Sequence, residues 1–348
     1  MRVGVVRLKL PALDRRARGT DFLESPTRAL LNPPESTGMP FWSLNPYVGC
    51  EFACSYCYAR YAHRYALDRA GDDDGIPAAT AARLRALPQP WESFERVILV
   101  KRREDAVAAL DRDLRRVQVR ARAAPQTLAI GTATDPYQPA ERRYGLTRLV
   151  LERLVRERAL GIEIVTKSPL VQRDVSLLLA LQQRHHVAVH ISLISVDPML
   201  VRRFERRSPL PRVRLRALQR LCAAGVNAGL ICAPVLPGIT DTATSLRALF
   251  RAAQRCGARH VHGHPLRVYA AVREPLLPVV DRYSPRLAAR YRAVYRRGAH
   301  VPAPYRRALS RRLRRMAAEV RLPIYEPPTD PAARRDLQAQ LQLWQPRA

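Results

Sequence analysis

Residues 45–60 read Asn-Pro-Tyr-Val-Gly-Cys-Glu-Phe-Ala-Cys-Ser-Tyr-Cys-Tyr-Ala-Arg and hold three of the six cysteines of this 348-residue chain. Cys50, Cys54 and Cys57 follow the spacing Cys-x3-Cys-x2-Cys. Three thiolates on one short loop suit an iron–sulfur cube that is held at three corners. The fourth iron of such a cube is left open for chemistry.

Other interpretations of this loop remain open. His63 would complete a Cys3His zinc set with the three cysteines, although the spacings match no zinc module known to us. The thiols could also be packed core residues, although Gly, Ser, Glu and Tyr between them are unusual in a buried element. A disulfide framework is disfavoured, because three clustered thiols cannot all pair with one another. A chain of this length can also bury a sufficient hydrophobic core without stabilising disulfide bonds. The iron–sulfur interpretation is favoured.

The cysteine spacing, with the aromatic Tyr56 before the last cysteine, resembles the radical S-adenosylmethionine superfamily. Residues 45–47 before the motif and Tyr58 after it resemble the spore photoproduct lyase (DNA repair photolyase) branch more narrowly. The resemblance covers roughly residues 40 to 270. It implies a 4Fe-4S cluster on the three cysteines and S-adenosylmethionine on the open iron. It also implies reductive cleavage of that cofactor to a 5′-deoxyadenosyl radical, which takes a hydrogen atom from a substrate, and an electron donor such as flavodoxin or ferredoxin.

A repeating pattern of apolar runs and helical segments predicts an α/β fold. The first strand is predicted at residues 41–48, which deliver the cysteine motif. Six further runs lie at residues 97–100, 128–131, 162–165, 187–194, 228–232 and 259–261. Strand, helix and strand in repetition imply parallel strands with right-handed crossovers, in a barrel or an open doubly wound sheet. The resemblance favours a partial (β/α)6 TIM-type barrel.

The chain is predicted to divide into three parts. Residues 1–40 form an irregular N-terminal extension, residues 41–270 the partial barrel, and residues 271–348 a basic helical C-terminal extension. The extensions are inferred from loss of the strand and helix pattern, and from a change of composition after residue 270.

Short polar side chains follow the predicted strands, at the edge where ligands of parallel α/β folds bind. They are Thr132, Thr134, Asp135, Thr166, Lys167, Ser168, Ser192, Ser195 and Asp197, followed by Ala233 and Pro234. Such groups suit the amino, carboxylate and ribose groups of S-adenosylmethionine, although each one also suits a cap or a turn.

The resemblance assigns roles to some of these residues. The cofactor contacts that it implies are Thr134, Asp135, Lys167, Ser192 and Ala233, with Tyr56 beside the adenine. Tyr58 matches a tyrosine used in hydrogen-atom relay. One position departs from the branch, because Thr132 stands where spore photoproduct lyase has its hydrogen-donating cysteine. A threonine hydroxyl is a far poorer hydrogen-atom donor than a thiol, so the same relay is not expected here.

Several other polar or reactive residues have ordinary structural interpretations. Cys222 and Cys256 lie on apolar faces of predicted helices, and Cys232 at a strand end is also favoured as a core residue. His260, His262 and His264 alternate along a strand and are predicted to face one side as structural histidines. The segment around Glu205, which holds four neighbouring arginines, is predicted to be a solvated or phosphate-facing loop.

The charge of the chain favours a polyanionic partner. Formal net charge is +30, and residues 281–348 hold 16 arginines against 5 acidic residues. Arginine in place of lysine is typical of a GC-rich genome, but the shortage of acids is not explained in this way. Tyr283, Tyr291, Tyr295 and Tyr305 are interleaved with these arginines, either to stack on bases or to pack on the barrel.

The sequence therefore predicts a cytoplasmic enzyme without a membrane span. The favoured function is radical chemistry on a nucleic acid, with a damaged base as the specific candidate. A peptide or small-molecule substrate is the second enzyme hypothesis. The competing class is an arginine-rich nucleic-acid-binding protein whose cluster or zinc is structural.

Overall fold

A computed structural model describes residues 12–15, 19–68, 70, 76–86 and 93–327. The strands are β1 (Ala12–Arg15), β2 (Asp21–Ser25), β3 (Leu31–Asn32), β4 (Trp42–Leu44), β5 (Tyr47–Val48), β6 (Val97–Lys101), β7 (Gln126–Ile130), β8 (Leu160–Thr166), β9 (His186–Ser192), β10 (Ala228–Val235) and β11 (Val261–Pro265). The helices of the first half are α1 (Pro34–Thr37), α2 (Ala62–Asp68), α3 (Ala78–Arg85), α4 (Ser93–Arg96), α5 (Arg103–Ala121), α6 (Glu141–Tyr144) and α7 (Leu146–Leu154). Those of the second half are α8 (Val175–Gln182), α9 (Pro198–Phe204), α10 (Pro211–Ala223), α11 (Ala243–Arg255), α12 (Ala270–Tyr283), α13 (Pro285–Val294) and α14 (Ala303–Glu319), and 3-10 turns lie at Tyr58–Tyr61 and Pro169–Asp174.

The main sheet confirms the predicted partial barrel. Its strand order is β11-β10-β9-β8-β7-β4-β3, in which β4 and β7 to β11 pair in parallel and β3 pairs antiparallel with β4. Helices connect the parallel strands. Within the described residues no pairing joins β11 to β3, so this barrel is open between its two edge strands.

A second sheet, of order β1-β2-β6-β5, lies before the barrel in the chain. It contains the strand predicted at residues 97–100, so the assignment of that run to the barrel repeat was wrong. In this sheet β6 pairs in parallel with β2 and antiparallel with β5. An apolar run indicates that both faces of a strand are buried, but it does not show which strand pairs with it or to which sheet it belongs.

The segment predicted as the first strand, residues 41–48, is divided between the two sheets. The break falls at Asn45 and Pro46, after which the chain leaves the main sheet and enters the second. The segment before residue 41, predicted to be irregular, contains β1, β2 and β3. Residues 1–11 and 328–348 of the predicted extensions lie outside the described residues.

The helices bury one apolar face against the main sheet. In α10, Pro211 occupies the first turn, where its missing N–H costs no hydrogen bond, and Leu218 and Leu221 are fully buried. In α11, Leu246 and Phe250 form the equivalent face. This packing fixes the carboxyl ends of the strands, where the polar residues of the site lie.

The chain after α14 returns to the amino end of β11 and extends the sheet. Val261 donates its N–H to Pro323 O at 2.9 Å, and Tyr325 donates its N–H to Val261 O at 2.8 Å. The Tyr325 ring then packs within 4.6 Å of the His190 and His260 ring centroids. This segment therefore packs beside the first residue of β11, at the end of that strand opposite its carboxyl end. No helix within the described residues combines the length and the apolar character needed to cross a membrane.

Candidate active site

The cysteine loop, residues 49–58, is tied to α4 and α9 by backbone hydrogen bonds. Cys50 donates its N–H to Phe94 O at 2.8 Å, and Ser55 donates its N–H to Phe204 O at 2.9 Å. Gly49 has a φ of 93°, and a Cβ at this position would lie 2.7 Å from Val97 O. Glycine is therefore required where the loop leaves β5.

Residues after β7 hold the loop from the barrel side. The Thr134 hydroxyl donates to Gly49 O at 2.6 Å, and the Gln138 amide donates to the same carbonyl at 3.1 Å. Gln138 also accepts the Glu51 N–H at 2.9 Å, and the Glu51 carboxylate accepts the Ala140 N–H at 2.7 Å. Thr134, one of the predicted cofactor contacts, thus fixes the cysteine loop directly. Sequence reasoning missed Gln138, whose only signal is its place four residues after Thr134.

The three cysteines of the loop suit an iron–sulfur cluster. Cys50 and Cys54 are 7% exposed and Cys57 is half-buried. Burial raises the pKa of all three thiols above the ordinary cysteine value, because a thiolate loses its hydration there. Bound iron removes this penalty, since a coordinating thiol is deprotonated by the metal charge. Without a metal the three cysteines are therefore neutral thiols, and a cluster would deprotonate them as it binds.

The His63 ring packs against Phe94 and not against the three cysteines of the loop. The two rings meet edge-on, with centroids 6.1 Å apart, and burial lowers the pKa of His63 to about 4. Among the described residues, no three side chains of the His, Cys, Asp and Glu types are spaced to hold a single metal ion. His63 therefore does not complete a four-ligand set with the three cysteines in this geometry.

A buried ion pair anchors the loop at Tyr56. The Tyr56 hydroxyl donates to Glu205 Oε1, and Glu205 Oε2 pairs with Arg214 of α10. Arg214 also donates to Ser192 O at 2.8 Å, and the Ser208 hydroxyl donates to Glu205 at 2.6 Å. The prediction of a solvated or phosphate-facing loop was wrong for Glu205, which is 0% exposed, whereas Arg202, Arg203 and Arg206 of the same segment are exposed.

The charge state of Glu205 follows from this pairing. Burial alone would raise the pKa of its carboxyl, but the Arg214 and Lys167 charges and the hydrogen bonds outweigh burial and lower it to about 2. Burial raises the pKa of Tyr56, and the neighbouring Glu205 charge acts in the same direction. Glu205 is therefore a fixed anion and Tyr56 a fixed hydrogen-bond donor.

Lys167 and Ser192 meet at the carboxyl ends of β8 and β9. Lys167 Nζ donates to Ser192 Oγ at 2.7 Å, lies 3.7 Å from Glu205 Oε1, and stands 5.7 Å from the Tyr56 ring centroid. The structure thus brings together three of the predicted cofactor contacts, Tyr56, Lys167 and Ser192. Sequence reasoning missed that Glu205 and Arg214 join them, because neither residue follows a strand.

The other predicted contacts occupy the same edge of the sheet. Asp135 accepts hydrogen bonds from the Thr166 hydroxyl at 2.6 Å and from the Lys167 N–H at 2.7 Å. It links the ends of β7 and β8, and burial raises its pKa despite these hydrogen bonds. By accepting the Lys167 N–H, Asp135 orients the backbone of Lys167. Ala233 lies half-buried near the end of β10.

Tyr58 contacts the position that departs from the branch. Its hydroxyl donates to Thr132 O, while the Thr132 side chain contacts Ser43 Oγ at 2.5 Å and accepts from Asn45 Nδ2 at 3.1 Å. Asn45 Oδ1 accepts the Ala133 N–H at 2.7 Å. Asn45, the first residue of the motif quoted above, thus joins the cysteine loop to the end of β7.

Around Tyr58 the site is bordered by aromatic and cationic side chains. The Tyr58 and Tyr61 ring centroids lie 6.4 Å apart, and Tyr61 contacts the exposed Tyr65 ring at 5.5 Å. Burial raises the pKa of Tyr58, with smaller electrostatic effects from Tyr61, Arg267 and Tyr269. Arg267 and Tyr269 share a hydrogen bond where the chain passes from β11 to α12. We call Tyr58, Tyr61, Arg267 and Tyr269 the aromatic rim.

Of the remaining histidines, His300 packs against the aromatic rim, with its ring centroid 6.3 Å from that of Tyr269. The three cysteines outside the motif pack in or against the core instead. Cys232 is 1% exposed and its thiol lies 3.2 Å from His262 O, between β10 and β11, which confirms it as a core residue. Cys222 and Cys256 are half-buried against the core. His262 and His264 contact each other through Nε2 atoms 2.6 Å apart, whereas His260 pairs with His190 at 3.1 Å.

The tyrosines of the C-terminal helices pack inward, except Tyr283. Tyr291 and Tyr295 are each 3% exposed, and their hydroxyls donate to Pro237 O and Leu266 O. Tyr305 donates to Asp241 at 2.8 Å. Packing, rather than stacking on bases, is thus the role of these three tyrosines. Tyr283 is 41% exposed and lies under Arg203.

An open parallel barrel whose first strand leads into a three-cysteine loop, with a polar set at the strand ends, defines a cluster-dependent α/β enzyme. A family model described as the radical SAM superfamily matches residues 44–246. The chain belongs to this superfamily and is a radical S-adenosylmethionine enzyme. Its cofactors are accordingly a 4Fe-4S cluster and S-adenosylmethionine.

Individual proteins resemble the chain over most of its length. Uncharacterized proteins of Mycobacterium tuberculosis and Mycobacterium bovis are each 34% identical over 324 residues, which is 92% of this chain and 86% of theirs. Spore photoproduct lyase complexed with dinucleoside spore photoproduct has the same fold, with a TM-score of 0.59 and 15% identity over 86% of this chain and 79% of that one. A mutant of that lyase with bound AdoMet and the same dinucleoside gives a TM-score of 0.57 at 13% identity, over the same shares of both chains.

Proposed function

We propose that Cys50, Cys54 and Cys57 hold the 4Fe-4S cluster. S-adenosylmethionine is bound beside it by Tyr56, Thr134, Asp135, Lys167, Ser192 and Ala233. The bound cluster would supply one electron to S-adenosylmethionine, which would split into methionine and a 5′-deoxyadenosyl radical able to take a hydrogen atom from the substrate. The support is the contact of Lys167 with Ser192 beside the Tyr56 ring.

The protein groups position the cofactor and exclude water. The Lys167 ammonium and the Ser192 hydroxyl are donors for a carboxylate, and the Tyr56 ring offers an apolar face for adenine. Glu205 holds Lys167 and Tyr56 in place through its own contacts. These groups are nearly all buried, so charge-assisted hydrogen bonds are stronger here than in water.

For the substrate we propose a nucleic-acid base, with a damaged base as the specific candidate. The observation that carries this proposal is the aromatic rim, where tyrosine rings and Arg267 stand beside Tyr58. Bases stack on aromatic rings, and cationic side chains bind the backbone phosphates. Exposed arginines of α13 and of the segment after it add positive charge, among them Arg292, Arg296 and Arg297. Spore photoproduct lyase, which shares the fold, has been solved with a dinucleoside photoproduct.

The hydrogen donor differs from that of the lyase branch in this proposal. Thr132 uses its hydroxyl for Ser43 and Asn45, and Cys232 is packed between strands. Tyr58 is the O–H group beside Thr132 and is proposed as the catalytic relay residue. A tyrosine O–H gives up hydrogen less readily than a thiol, so the reaction need not be the reversal of a thymine photoproduct.

Anaerobic reconstitution tests the proposal. The reduced protein is incubated with S-adenosylmethionine and with irradiated DNA, undamaged DNA or RNA, and 5′-deoxyadenosine and altered nucleosides are measured by mass spectrometry. We expect 5′-deoxyadenosine in every reaction and an altered nucleoside with one nucleic acid. Cofactor cleavage without any altered nucleoside would favour a peptide or small-molecule substrate. Failure to form 5′-deoxyadenosine would favour a binding protein with a structural cluster.

The proposal includes a cytoplasmic location and a flavodoxin or ferredoxin as electron donor. Free thiols and a low-potential cluster persist in a reducing compartment. In this proposal the electron comes from a separate carrier that approaches the cysteine loop from outside.

A further inference from the structure

Beside the cysteine loop lies a cleft of about 570 Å³ whose wall contains four arginines. One of them, Arg142, lies in α6. The other three are Arg202 of α9 and Arg206 and Arg207 of the chain after it. Phe52, between the first two cysteines of the motif, forms part of the apolar floor. We call this feature the arginine cleft.

The arginine cleft is joined to the cysteine loop by hydrogen bonds. Arg207 donates its N–H to Phe52 O at 3.3 Å. Arg206 pairs with Glu95 at 2.9 Å, Glu95 pairs with the buried Arg60, and Arg60 donates to Cys54 O at 3.0 Å. A partner seated in the cleft would therefore rest on the backbone that carries the cysteines.

The positive charge of the cleft is only partly neutralised by the protein. Arg206 has Glu95, but within the described residues no carboxylate forms an ion pair with Arg142, Arg202 or Arg207. Arg202 instead donates to Arg206 O at 2.6 Å, and Arg207 to Thr20 Oγ1 at 3.3 Å. Arg142 and Arg202 are exposed. Uncompensated charge around a concave surface steers an anionic partner and raises its association rate.

The cleft and the aromatic rim use different parts of the cysteine loop. Phe52 lines the cleft, whereas Tyr58, six residues later, borders the rim, where the substrate is proposed to bind. None of the four residues of the aromatic rim lines the cleft, so the two features are separate surfaces.

We propose that the arginine cleft is the docking surface for a small acidic one-electron carrier protein, such as a reduced flavodoxin. This inference rests on the proposed function, which requires an electron from outside. The carrier is oxidised by one electron and the cluster reduced by one, with no bond made or broken. The hydrogen bonds between the cleft wall and the cysteine loop favour an electron carrier, which must approach the cluster, over a nucleic acid. The positive charge of the cleft favours an acidic surface on that carrier.

The test uses reconstituted full-length protein and a reduced flavodoxin of acidic surface. The cleft variant carries Arg142→Glu and Arg202→Glu. The control variant carries Arg115→Glu and Arg122→Glu, two exposed arginines of α5 and its end that do not line the cleft. Both variants change the net charge equally. Flavodoxin binding is measured by calorimetry at several salt concentrations, and cluster reduction is followed by rapid-mixing absorbance with flavodoxin or with dithionite.

We expect the cleft variant to raise the Kd for flavodoxin at least about tenfold, to flatten its salt dependence and to slow cluster reduction by flavodoxin. Reduction by dithionite should match that of the wild type, and the control variant should change flavodoxin binding much less. Equal behaviour of the two variants would overturn the proposal. So would a cleft variant that loses DNA or RNA binding but keeps flavodoxin binding. If dithionite-reduced wild type forms no 5′-deoxyadenosine, the proposed function fails independently of the docking result.

Discussion

Tyr56, which lies between the last two cysteines of the motif, donates its hydroxyl hydrogen to Glu205, 149 residues later in the chain. The same segment pairs with the cysteine loop through its backbone, by a bridge between Cys54 and Glu205. One buried carboxylate therefore determines both the position of the loop and the position of Lys167. The predictions below test this arrangement and the proposed site.

Replacement of Cys54 by Ser should remove most of the bound iron after anaerobic reconstitution, because two thiolates do not retain a cube that needs three protein ligands. Iron content and the visible absorbance measure the effect. Cys222→Ser is the matched control and should keep its iron, since Cys222 is half-buried beside the Ala228 carbonyl, away from the loop. Equal iron loss in the two variants would contradict the assignment of the ligands.

Glu205→Ala should lower the free energy of unfolding by about 3 to 5 kcal/mol, because it leaves the charge of Arg214 buried without a partner. Denaturant unfolding of the cluster-free protein measures the change. Glu104→Ala, at an exposed position of α5, should change it by less than about 0.5 kcal/mol. The double variant Glu205→Met with Arg214→Met should recover much of the loss. If the double variant is as unstable as Glu205→Ala, an unpaired Arg214 charge is not the cause.

Glu163→Gln should stabilise the protein at neutral and higher pH. Burial raises the pKa of Glu163 to about 7 from 4.5. The folded state thus binds the proton more tightly than the unfolded state, and stability is lost as pH rises from 4.5 to about 7. The difference corresponds to about 3 kcal/mol above that window.

Glutamine keeps an acceptor for the Tyr325 hydroxyl, which lies 3.2 Å from Glu163 Oε1. Unfolding of Glu163→Gln and wild type is compared across the pH range. We expect the two proteins to be nearly equal below pH 4.5 and to diverge as pH rises toward about 7. A difference that is constant with pH would show that ionisation of Glu163 is not responsible.

Tyr58→Phe removes the O–H that contacts Thr132 O while it keeps the aromatic ring. We expect S-adenosylmethionine cleavage to continue but the yield of product per 5′-deoxyadenosine to fall, since the relay residue is absent. The two yields are measured together by mass spectrometry. Tyr65→Phe, at the exposed end of the tyrosine series, is the control. An unchanged ratio for Tyr58→Phe would remove Tyr58 from the relay.

Charge reversal at Arg292, Arg296 and Arg297 should weaken DNA or RNA binding. It should also make binding less sensitive to salt: a plot of the logarithm of the binding constant against the logarithm of the salt concentration should become shallower by about three or more. Each phosphate that these arginines no longer neutralise accounts for a change in slope of close to one. All three arginines are exposed. Binding is measured by fluorescence anisotropy at several salt concentrations. The α5 variant Arg115→Glu with Arg122→Glu reports the effect of net charge alone. If it weakens binding equally per charge, the C-terminal helices are not a specific nucleic-acid surface.

The apolar runs were sufficient to predict parallel strands joined by helices, because strand and helix patterns are local properties. The class of enzyme and the choice of a barrel over an open sheet came from the resemblance of the cysteine motif to the radical S-adenosylmethionine superfamily. The apolar runs also indicated the strand-end positions of Lys167 and Ser192. Whether Tyr291 and Tyr295 stack on bases or pack in the core was left open, since an aromatic residue on a basic helix suits both roles.

Tertiary structure decided which distant groups meet. It placed the strand at residues 97–101 in a second sheet, buried Glu205 against Arg214, and directed Cys232 between two strands instead of toward the site. Local sequence specifies the type of side chain and its face on an element. The burial and the partner of a charged group, and hence its pKa and role, depend on residues brought close only when the chain folds.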